Sequence, residues 1–369
     1  MTNKIDILAV GDITLGNHLL TAGFGIRDII EKRGNHYIFQ FVRSLLRESD
    51  ITFGNLESVL SDASAERGNI KSMFFRGSPS AVDTLSDGGF DILNIANNHS
   101  LHHGVDAFKE TTELLKKKDL LVLGLAGEDD YSAAPVVHRI KDIKLGFLGY
   151  SFVRENYYGG RPLYALGDLG NVINDIKRLK REVDFVVVSC HWGLEIINRP
   201  SLHTIEMARA MIDHGADVIF GHHPHVFQAI ERYKSGLIFY SLGNFVFDCL
   251  WEKEYVRSAI VKVTLQRGEK ISYDLIPIRI NSGYQPVPLT GSDEKAFLSY
   301  VSDISNKDYY DNYQDLEESC LNYYVEYNRC EKSAVYKKIL FLMRRLHKVK
   351  FSVLAMVFWE KFLKKVLPL

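Results

Sequence analysis

The chain has 369 residues, of which 46% are hydrophobic and 25% are charged, a composition typical of a folded globular protein. Its formal net charge of −1 argues against a protein that binds nucleic acid. The four cysteines are widely spaced and form no C-x-x-C pair, so we expect reduced thiols rather than a disulfide framework or a zinc–thiolate site.

Seven apolar runs rich in β-branched residues predict buried strands, because strands covered on both faces are continuously apolar. Each run stops at a small polar cluster. In chain order the runs are 5–10, 51–53, 91–96, 144–150, 184–190, 217–220 and 237–242.

Four segments between these runs place apolar residues at helical spacing and predict helices over 36–49, 105–118, 171–182 and 203–215. Alternating strands and helices predict an α/β fold. Two later strands, 257–266 and 270–280, are separated by Arg-Gly-Glu, a sequence typical of a hairpin. We therefore expect a mixed sheet.

The character of the chain changes near residue 290, where Asp, Tyr, Asn and Ser become frequent before a basic tail. This change predicts a domain over 1–289 and a helical, basic C-terminal extension over 290–369. Residues 332–369 contain ten lysines and arginines and one acidic residue, a net charge of +9 that leaves −10 on the rest. Such a tail either packs on its own domain or on a partner subunit, or lies on an anionic membrane surface.

The N-terminus begins directly with a strand pattern and no signal-peptide pattern precedes it. No run reaches the roughly 18 apolar residues of a membrane-spanning helix. We expect a cytoplasmic protein, with peripheral contact to the inner face of the membrane through 332–369 as the further hypothesis.

Polar residues of one chemical kind follow the predicted strands. The carboxyl ends of strands in α/β sheets form the crevice that binds ligands, so these residues are expected to converge. They are Asp12, Asn55, Glu57, Asn98, His99, His191, His223 and His225. Carboxylate, amide and imidazole ligands without thiolate suit Mn²⁺, Fe or Zn²⁺. One carboxylate can bridge two such ions, so we expect two divalent metals and phosphoryl-transfer chemistry.

Each residue also has a plainer interpretation. Asp12 is compatible with a turn or a helix N-cap, Glu57 with a solvated side chain, and His191 with a buried core histidine. Asn98 and His99 are compatible with a turn and a supporting histidine. Their shared position at strand ends favours the metal site over these separate explanations.

Six motifs resemble, in order, those of the bacterial capsule-synthesis (CapA, or poly-γ-glutamate capsule biosynthesis) family, which is similar to the calcineurin-like metallophosphoesterases. The motifs, within 5–285, are GDITLG (11–16), GNLES (54–58), NIANNHSLHHG (94–104), SCHWGLE (189–195), GHHPHVFQ (221–228) and YSLGNFVFD (240–248). The resemblance implies a four-layer α-β-β-α sandwich with a dinuclear metal site at one edge.

The resemblance also implies roles for individual residues. Asp12, Glu57 and His225 are expected to hold one metal, and Glu57, Asn98, His191 and His223 the second, with Glu57 bridging. His99 is expected to lie near the attacking or leaving oxygen as the catalytic residue. The superfamily's first motif, Asp-x-His, is here Asp12-Ile13-Thr14. One imidazole is missing from the first site, and Asn55, His18 or water is expected in its place.

Five further residues are expected to bind substrate or to support the ligands. Arg76 offers a guanidinium for an anion, with a structural arginine as the alternative. Glu195 follows His191 by four residues and is expected to orient an imidazole. Asn55, His222 and Asn244 complete this set.

Two functions remain open from the sequence. The first is a metal-dependent hydrolase of phosphoesters in capsule or surface-polymer biosynthesis. The second is a capsule-assembly component that uses the metal site to bind polymer or to transfer an amide or glutamyl group. In both, the partner is a small or polymeric substrate with anionic groups, and no nucleic acid is expected.

Overall fold

The computed structural model describes residues 4–63, 74–127, 132–154, 163–306, 316–345 and 347–348. The described strands are β1 Lys4–Ile13, β2 Ile51–Leu56, β3 Val59–Leu60, β4 Arg76–Gly77, β5 Ile92–Asn94, β6 Leu121–Leu123, β7 Val136–Ile140, β8 Ile143–Ser151, β9 Phe185–His191, β10 Val218–His222, β11 Ile230–Tyr233, β12 Gly236–Phe239, β13 Asn244–Val246, β14 Arg257–Gln266, β15 Ser272–Ile280 and β16 Pro286–Pro288. The described α-helices are α1 Ile26–Arg33, α2 Arg43–Leu46, α3 Val82–Gly88, α4 Gly104–Lys117, α5 Leu169–Lys180, α6 Leu202–Asp213, α7 Gly291–Ile304 and α8 Leu316–Arg345.

Two mixed sheets form the body of the molecule. The first has the order β16-β15-β14-β1-β2-β5-β6, with β13 also paired to β1. The second has the order β11-β12-β10-β9-β8-β7. In the first sheet β1, β2, β5 and β6 pair in parallel, and β14, β15 and β16 add antiparallel strands on the other side of β1. In the second sheet the central strands are parallel and both edge pairs are antiparallel, so the prediction of mixed pairing is confirmed.

The core is divided into three layers of apolar side chains. Between the sheets, Phe53 of β2 stacks on Phe220 of β10 with ring centroids 5.6 Å apart. The outer face of the first sheet is covered by α1 to α4, and that of the second by α5 and α6. This arrangement is the four-layer α-β-β-α sandwich expected from the sequence.

The helix predicted over 36–49 is wrong for most of its length, because only Arg43–Leu46 is helical. Ile38, Phe39 and Val42 are buried at helical spacing, yet they belong to consecutive turns. Aromatic and β-branched residues have weak helix propensity, and Phe39 instead packs against Phe90 and Phe245.

The extension beyond residue 290 contacts the sandwich. Phe297 and Val301 of α7 are buried in the layer between the sheets. On α8, Phe341 packs against Trp251, and Lys337 pairs with Glu252 at 2.7 Å. The domain boundary at 290 stays a prediction, and most of the basic tail, residues 346 and 349–369, lies outside the described residues. Over the described ranges, no helix is both long enough and apolar enough to cross a membrane.

Candidate metal centre

The strand ends of the two sheets meet at one edge because of the pairing register. In the first sheet, Asp12 is the register partner of both Asn55 on β2 and Asn244 on β13. In the second sheet, His191 at the end of β9 pairs with His222 at the end of β10. Residues more than 200 positions apart in the chain are thereby placed side by side.

Glycines before two of these residues allow the close approach of neighbouring backbones. A Cβ atom on Gly11 would lie 1.9 Å from the carbonyl oxygen of Gly243. A Cβ atom on Gly221 would lie 2.0 Å from the carbonyl oxygen of Tyr240. Any larger residue would push Asp12 or His222 away from the site.

Asp12 is fully buried and is held by several donors. Its Oδ1 accepts a hydrogen bond from Nδ2 of Asn55 at 2.9 Å and lies 3.1 Å from Nδ1 of His222. Its Oδ2 accepts from the backbone N–H of His223 at 3.2 Å and lies 3.2 Å from Nδ1 of His225. Burial alone would raise the pKa of Asp12, but the bonds and charges of His222 and His225 outweigh it and hold the pKa well below its ordinary value. Asp12 is therefore ionised and fixed in orientation.

Glu57 is also fully buried, but its environment is the opposite. Among the described residues, neither carboxylate oxygen has a hydrogen-bond partner. Burial raises the pKa of Glu57 well above its ordinary value, against the opposing charge of His225. Burying a carboxylate that receives no hydrogen bond lowers the stability of the folded state, so a cation bound to Glu57 would stabilise it.

His223 and His225 reach the site through an unusual backbone. Their φ angles are 94° and 59°, in the left-handed region that non-glycine residues rarely adopt. Such strain costs of order 1–3 kcal/mol per residue and is concentrated at functional sites. Burial lowers the pKa of His223 to about 4. Burial would also lower that of His225, but the charges of Glu57 and Asp12 raise its pKa to about 10.

Three further predicted residues lie near Glu57, namely Asn98, His191 and His99. Nε2 of His191 is 2.8 Å from Oδ1 of Asn98 and 3.8 Å from Oε1 of Glu57. Nε2 of His99 is 3.9 Å from the same oxygen. Burial, reinforced by neighbouring histidines, lowers the pKa of both His191 and His99 well below the ordinary value. Both imidazoles are neutral, the form in which histidine binds metals.

Three overlapping sets of ligand atoms follow from this geometry among the described residues. In each set the atoms lie within 4.8 Å of one another. The sets are Asp12, Glu57 and His225; Glu57, His191 and His223; and Glu195, His223 and His225. The first two sets bring together the residues predicted from the sequence for the two metal positions, and Asn98 lies beside His191 of the second. Their roles as ligands stay a prediction.

Of the five residues predicted to bind substrate or to support the ligands, four lie at the candidate metal centre, and Arg76 forms hydrogen bonds with backbone carbonyls. Asn55 bonds Asp12, and Oδ1 of Asn244 is 3.0 Å from Nδ1 of His225. His222 is fully buried under Asp12. Glu195 lies at the solvent side and joins a ligand set. Arg76, which was expected to bind an anion, is buried, and its guanidinium donates to the carbonyl oxygens at positions 61 and 63. That bonding is the structural alternative, and its anion-binding role stays a prediction.

Asn94 also supports the site, although it was not predicted from the sequence. This residue ends β5, and its Nδ2 donates to Oδ1 of Asn55 at 2.9 Å. Nδ2 of Asn55 is thereby left to point at Asp12. The signal was present, since Asn94 is itself a polar residue at a strand end, the criterion that selected the others.

The residues fit a pair of divalent ions. Two carboxylates and three imidazoles converge, and Glu57 belongs to both sets that a bridging ligand requires. Ligation of a cation would satisfy the two oxygens of Glu57 that lack hydrogen-bond partners among the described residues. Fold and site together define an α/β sandwich protein with a candidate metal centre.

Comparison with known proteins agrees with this description. The profile of the family described as "Bacterial capsule synthesis protein PGA_cap" matches residues 6–249. The chain belongs to this family. It is 33% identical over 302 residues to the capsule biosynthesis protein CapA of Bacillus anthracis, covering 79% of this chain and 71% of that protein. It is 32% identical over 314 residues to the PGA biosynthesis protein CapA of Bacillus subtilis, covering 83% and 80%.

Solved structures give weaker likenesses. A 5'-nucleotidase from Candida albicans has a TM-score of 0.38 at 13% identity, covering 82% of this chain and 57% of that one. A hypothetical protein from Thermus thermophilus has a TM-score of 0.44 at 14% identity, covering 74% and 99%. Likenesses at this level carry no functional argument, which rests on the family and the site.

Proposed function

We propose that the chain is a metal-dependent hydrolase of phosphoesters that acts in the biosynthesis of a capsule or another surface polymer. The observation that carries the proposal is Glu57: a fully buried carboxylate, without hydrogen-bond partners among the described residues, shared by two adjacent sets of metal ligands. Two ions bridged by one carboxylate are the arrangement that phosphoester hydrolysis uses.

The residues of the site have distinct roles in the proposed reaction. When bound, divalent ions would supply a nucleophile at neutral pH and stabilise charge on phosphoryl oxygens. Asp12 and Glu57 provide the negative charge that holds them, and His191, His223 and His225 complete the two positions. Burial of these groups makes the electrostatic interactions stronger than they would be in water.

In this proposal His99 transfers a proton. Its ring is 11% exposed, so it borders both the metal ligands and solvent. Nδ1 lies 3.2 Å from Nδ1 of His102, which orients the ring, and Nε2 is directed towards the Glu57 side. A neutral imidazole in this position can exchange a proton with an oxygen of the substrate.

A second candidate function is supported by the relatives. Their names describe capsule and PGA biosynthesis, and neither names a phosphatase. The same centre would then bind an anionic polymer or assist an amide or glutamyl transfer. The replacement of the first-motif histidine by Thr14 favours this alternative, because it removes one imidazole from the hydrolytic arrangement.

The test is a comparison of two reactions in the same preparation. Protein loaded with Mn²⁺ is expected to release p-nitrophenol from bis(p-nitrophenyl) phosphate or p-nitrophenyl phosphate, and His191→Ala is expected to abolish this. His214→Ala, on the far end of α6, is the matched control and should retain full activity. Release of p-nitroaniline from a γ-glutamyl anilide, with no phosphoester turnover under Mn²⁺, Fe²⁺ or Zn²⁺, would overturn the hydrolase proposal in favour of the alternative.

A further inference from the structure

The third ligand set adds Glu195 to the residues of the candidate metal centre. Glu195 lies with His223 and His225, one from each of the two sets that Glu57 joins. Glu57 approaches these positions from the buried side, whereas Glu195 is partly exposed and approaches from solvent. Two carboxylates, one buried and one partly exposed, therefore lie within 4.8 Å of the same pair of imidazoles.

The loop that carries Glu195 is tied to the histidine segment. The backbone N–H of Ile196 donates to the carbonyl oxygen of Pro224 at 3.0 Å, between His223 and His225. Ile196 has a φ of 74°, a conformation that is uncommon for a β-branched residue. The loop is thus fixed to the histidine segment, and this hydrogen bond holds Glu195 close to the two imidazoles.

Thr14 and the two residues expected to replace the missing histidine, Asn55 and His18, form hydrogen bonds with other groups. The hydroxyl of Thr14 accepts the N–H of Gly16 at 3.3 Å within a buried turn. Asn55 uses Nδ2 on Asp12 and Oδ1 on Asn94. Nδ1 of His18 accepts the N–H of Leu20 at 3.1 Å, and its ring packs against a tryptophan. The position next to Asp12, Glu57 and His225 is left for another ligand.

We propose that Glu195 is a metal ligand that completes the position formed by Asp12, Glu57 and His225 and takes the place of the missing histidine. The proposal rests on the metal centre of the proposed function but not on its reaction. Exchanging a neutral imidazole for a carboxylate makes the donor set harder and more negative. Such a set favours Mn²⁺ or Fe²⁺ over Zn²⁺.

The experiment counts metals without substrate. Purified full-length protein is stripped with chelator, loaded with Mn²⁺ and desalted, and manganese per chain is measured by elemental analysis. The parent and the Glu206→Gln control, an exposed glutamate on α6, should each hold two ions. Glu195→Gln should hold one, with the second ion weakened more than about 100-fold, beyond the 10–100-fold loss typical of residues that only support a ligand. Glu195→Asp should restore part of the second ion.

Electron paramagnetic resonance gives a readout independent of affinity. The parent should show an exchange-coupled Mn²⁺ pair, and Glu195→Gln the six-line spectrum of an isolated Mn²⁺. Two coupled ions in Glu195→Gln would overturn the ligand assignment and leave the metal centre standing. An equal weakening of both ions would also overturn it, because it shows that Glu195 only positions the histidines. A parent that binds no divalent ion would overturn this inference and the proposed function together.

Discussion

Replacing Glu57 by glutamine tests whether the metal centre stabilises the fold. In the metal-free protein, a buried carboxylate without hydrogen-bond partners among the described residues costs free energy, of order 1–3 kcal/mol or more for a charged group. Because burial raises the pKa of Glu57, this cost grows as pH rises above its ordinary range. Glu57→Gln should therefore be about 1–3 kcal/mol more stable than the parent at pH 8 in chelator.

Metal should reverse the order of the two proteins. An ion present at 100 times its dissociation constant stabilises the folded state by about 2.7 kcal/mol, which raises the midpoint by roughly 3–4 °C for a protein of this size. The parent should gain this stability on addition of Mn²⁺, whereas Glu57→Gln should gain little, because both ligand sets lose their shared carboxylate.

The assay is thermal unfolding at pH 8 with chelator and with graded Mn²⁺, followed by circular dichroism. Glu206→Gln is the matched control and should follow the parent in both conditions. An equal Mn²⁺-dependent rise in midpoint for Glu57→Gln and the parent would refute the reasoning, since the metal would then bind without the bridging carboxylate.

Three further predictions concern catalysis, pH and the tail. His99→Asn should lower kcat about 10²–10⁴-fold and leave the metal content unchanged, and loss of metal would contradict a role in proton transfer. Burial raises the pKa of Asp248 from 3.8 to about 7. Between pH 3.8 and about 7 the folded protein therefore keeps a proton on Asp248 that the unfolded chain releases. The free energy of unfolding should fall as the pH rises through this range. Asp248→Asn should flatten this fall by up to about 4 kcal/mol, measured by urea unfolding in chelator, and an unchanged pH profile would show the reasoning to be wrong. On α8, Tyr336 and Ile339 are 64% and 50% exposed beside basic residues. If this face binds anionic membranes, their double replacement by serine should reduce flotation with phosphatidylglycerol vesicles several-fold, while Tyr324→Ser, nearer the N-terminus of the helix and away from the basic residues, should not. A parent that never floats would refute membrane binding.

The placement of the tail shows how a sequence pattern can be compatible with two structures. The basic, apolar composition of 332–369 predicted helix but left its partner open. In the described part, Ala334 and Phe341 are buried against the body, whereas Tyr336, Ile339 and Met343 are exposed. One helix therefore packs on its own domain through one side and presents apolar residues on another, and composition alone does not separate the two sides.

The failed helix over 36–49 has a related cause. Apolar spacing in this segment correctly marks residues that are buried, such as Ile38 and Phe39. Burial does not require helix, since consecutive turns can direct the same side chains into the core. Weak helix propensity and the aromatic packing site on Phe90 and Phe245 decided the local structure.

The sequence by itself determined the α/β class, most of the central strands and the residue types of the candidate site. It could do so because strand ends are local features: an apolar run followed by Asp, Glu, Asn or His is visible in the chain. Tertiary structure alone decided which of these residues meet. The register of Asp12 with Asn55 and of His191 with His222, and the facing of the two sheets, bring them together. It also placed Glu195 beside His223 and His225, because the loop of Glu195 is hydrogen-bonded to Pro224, and a contact between two loops leaves no periodic signal in either.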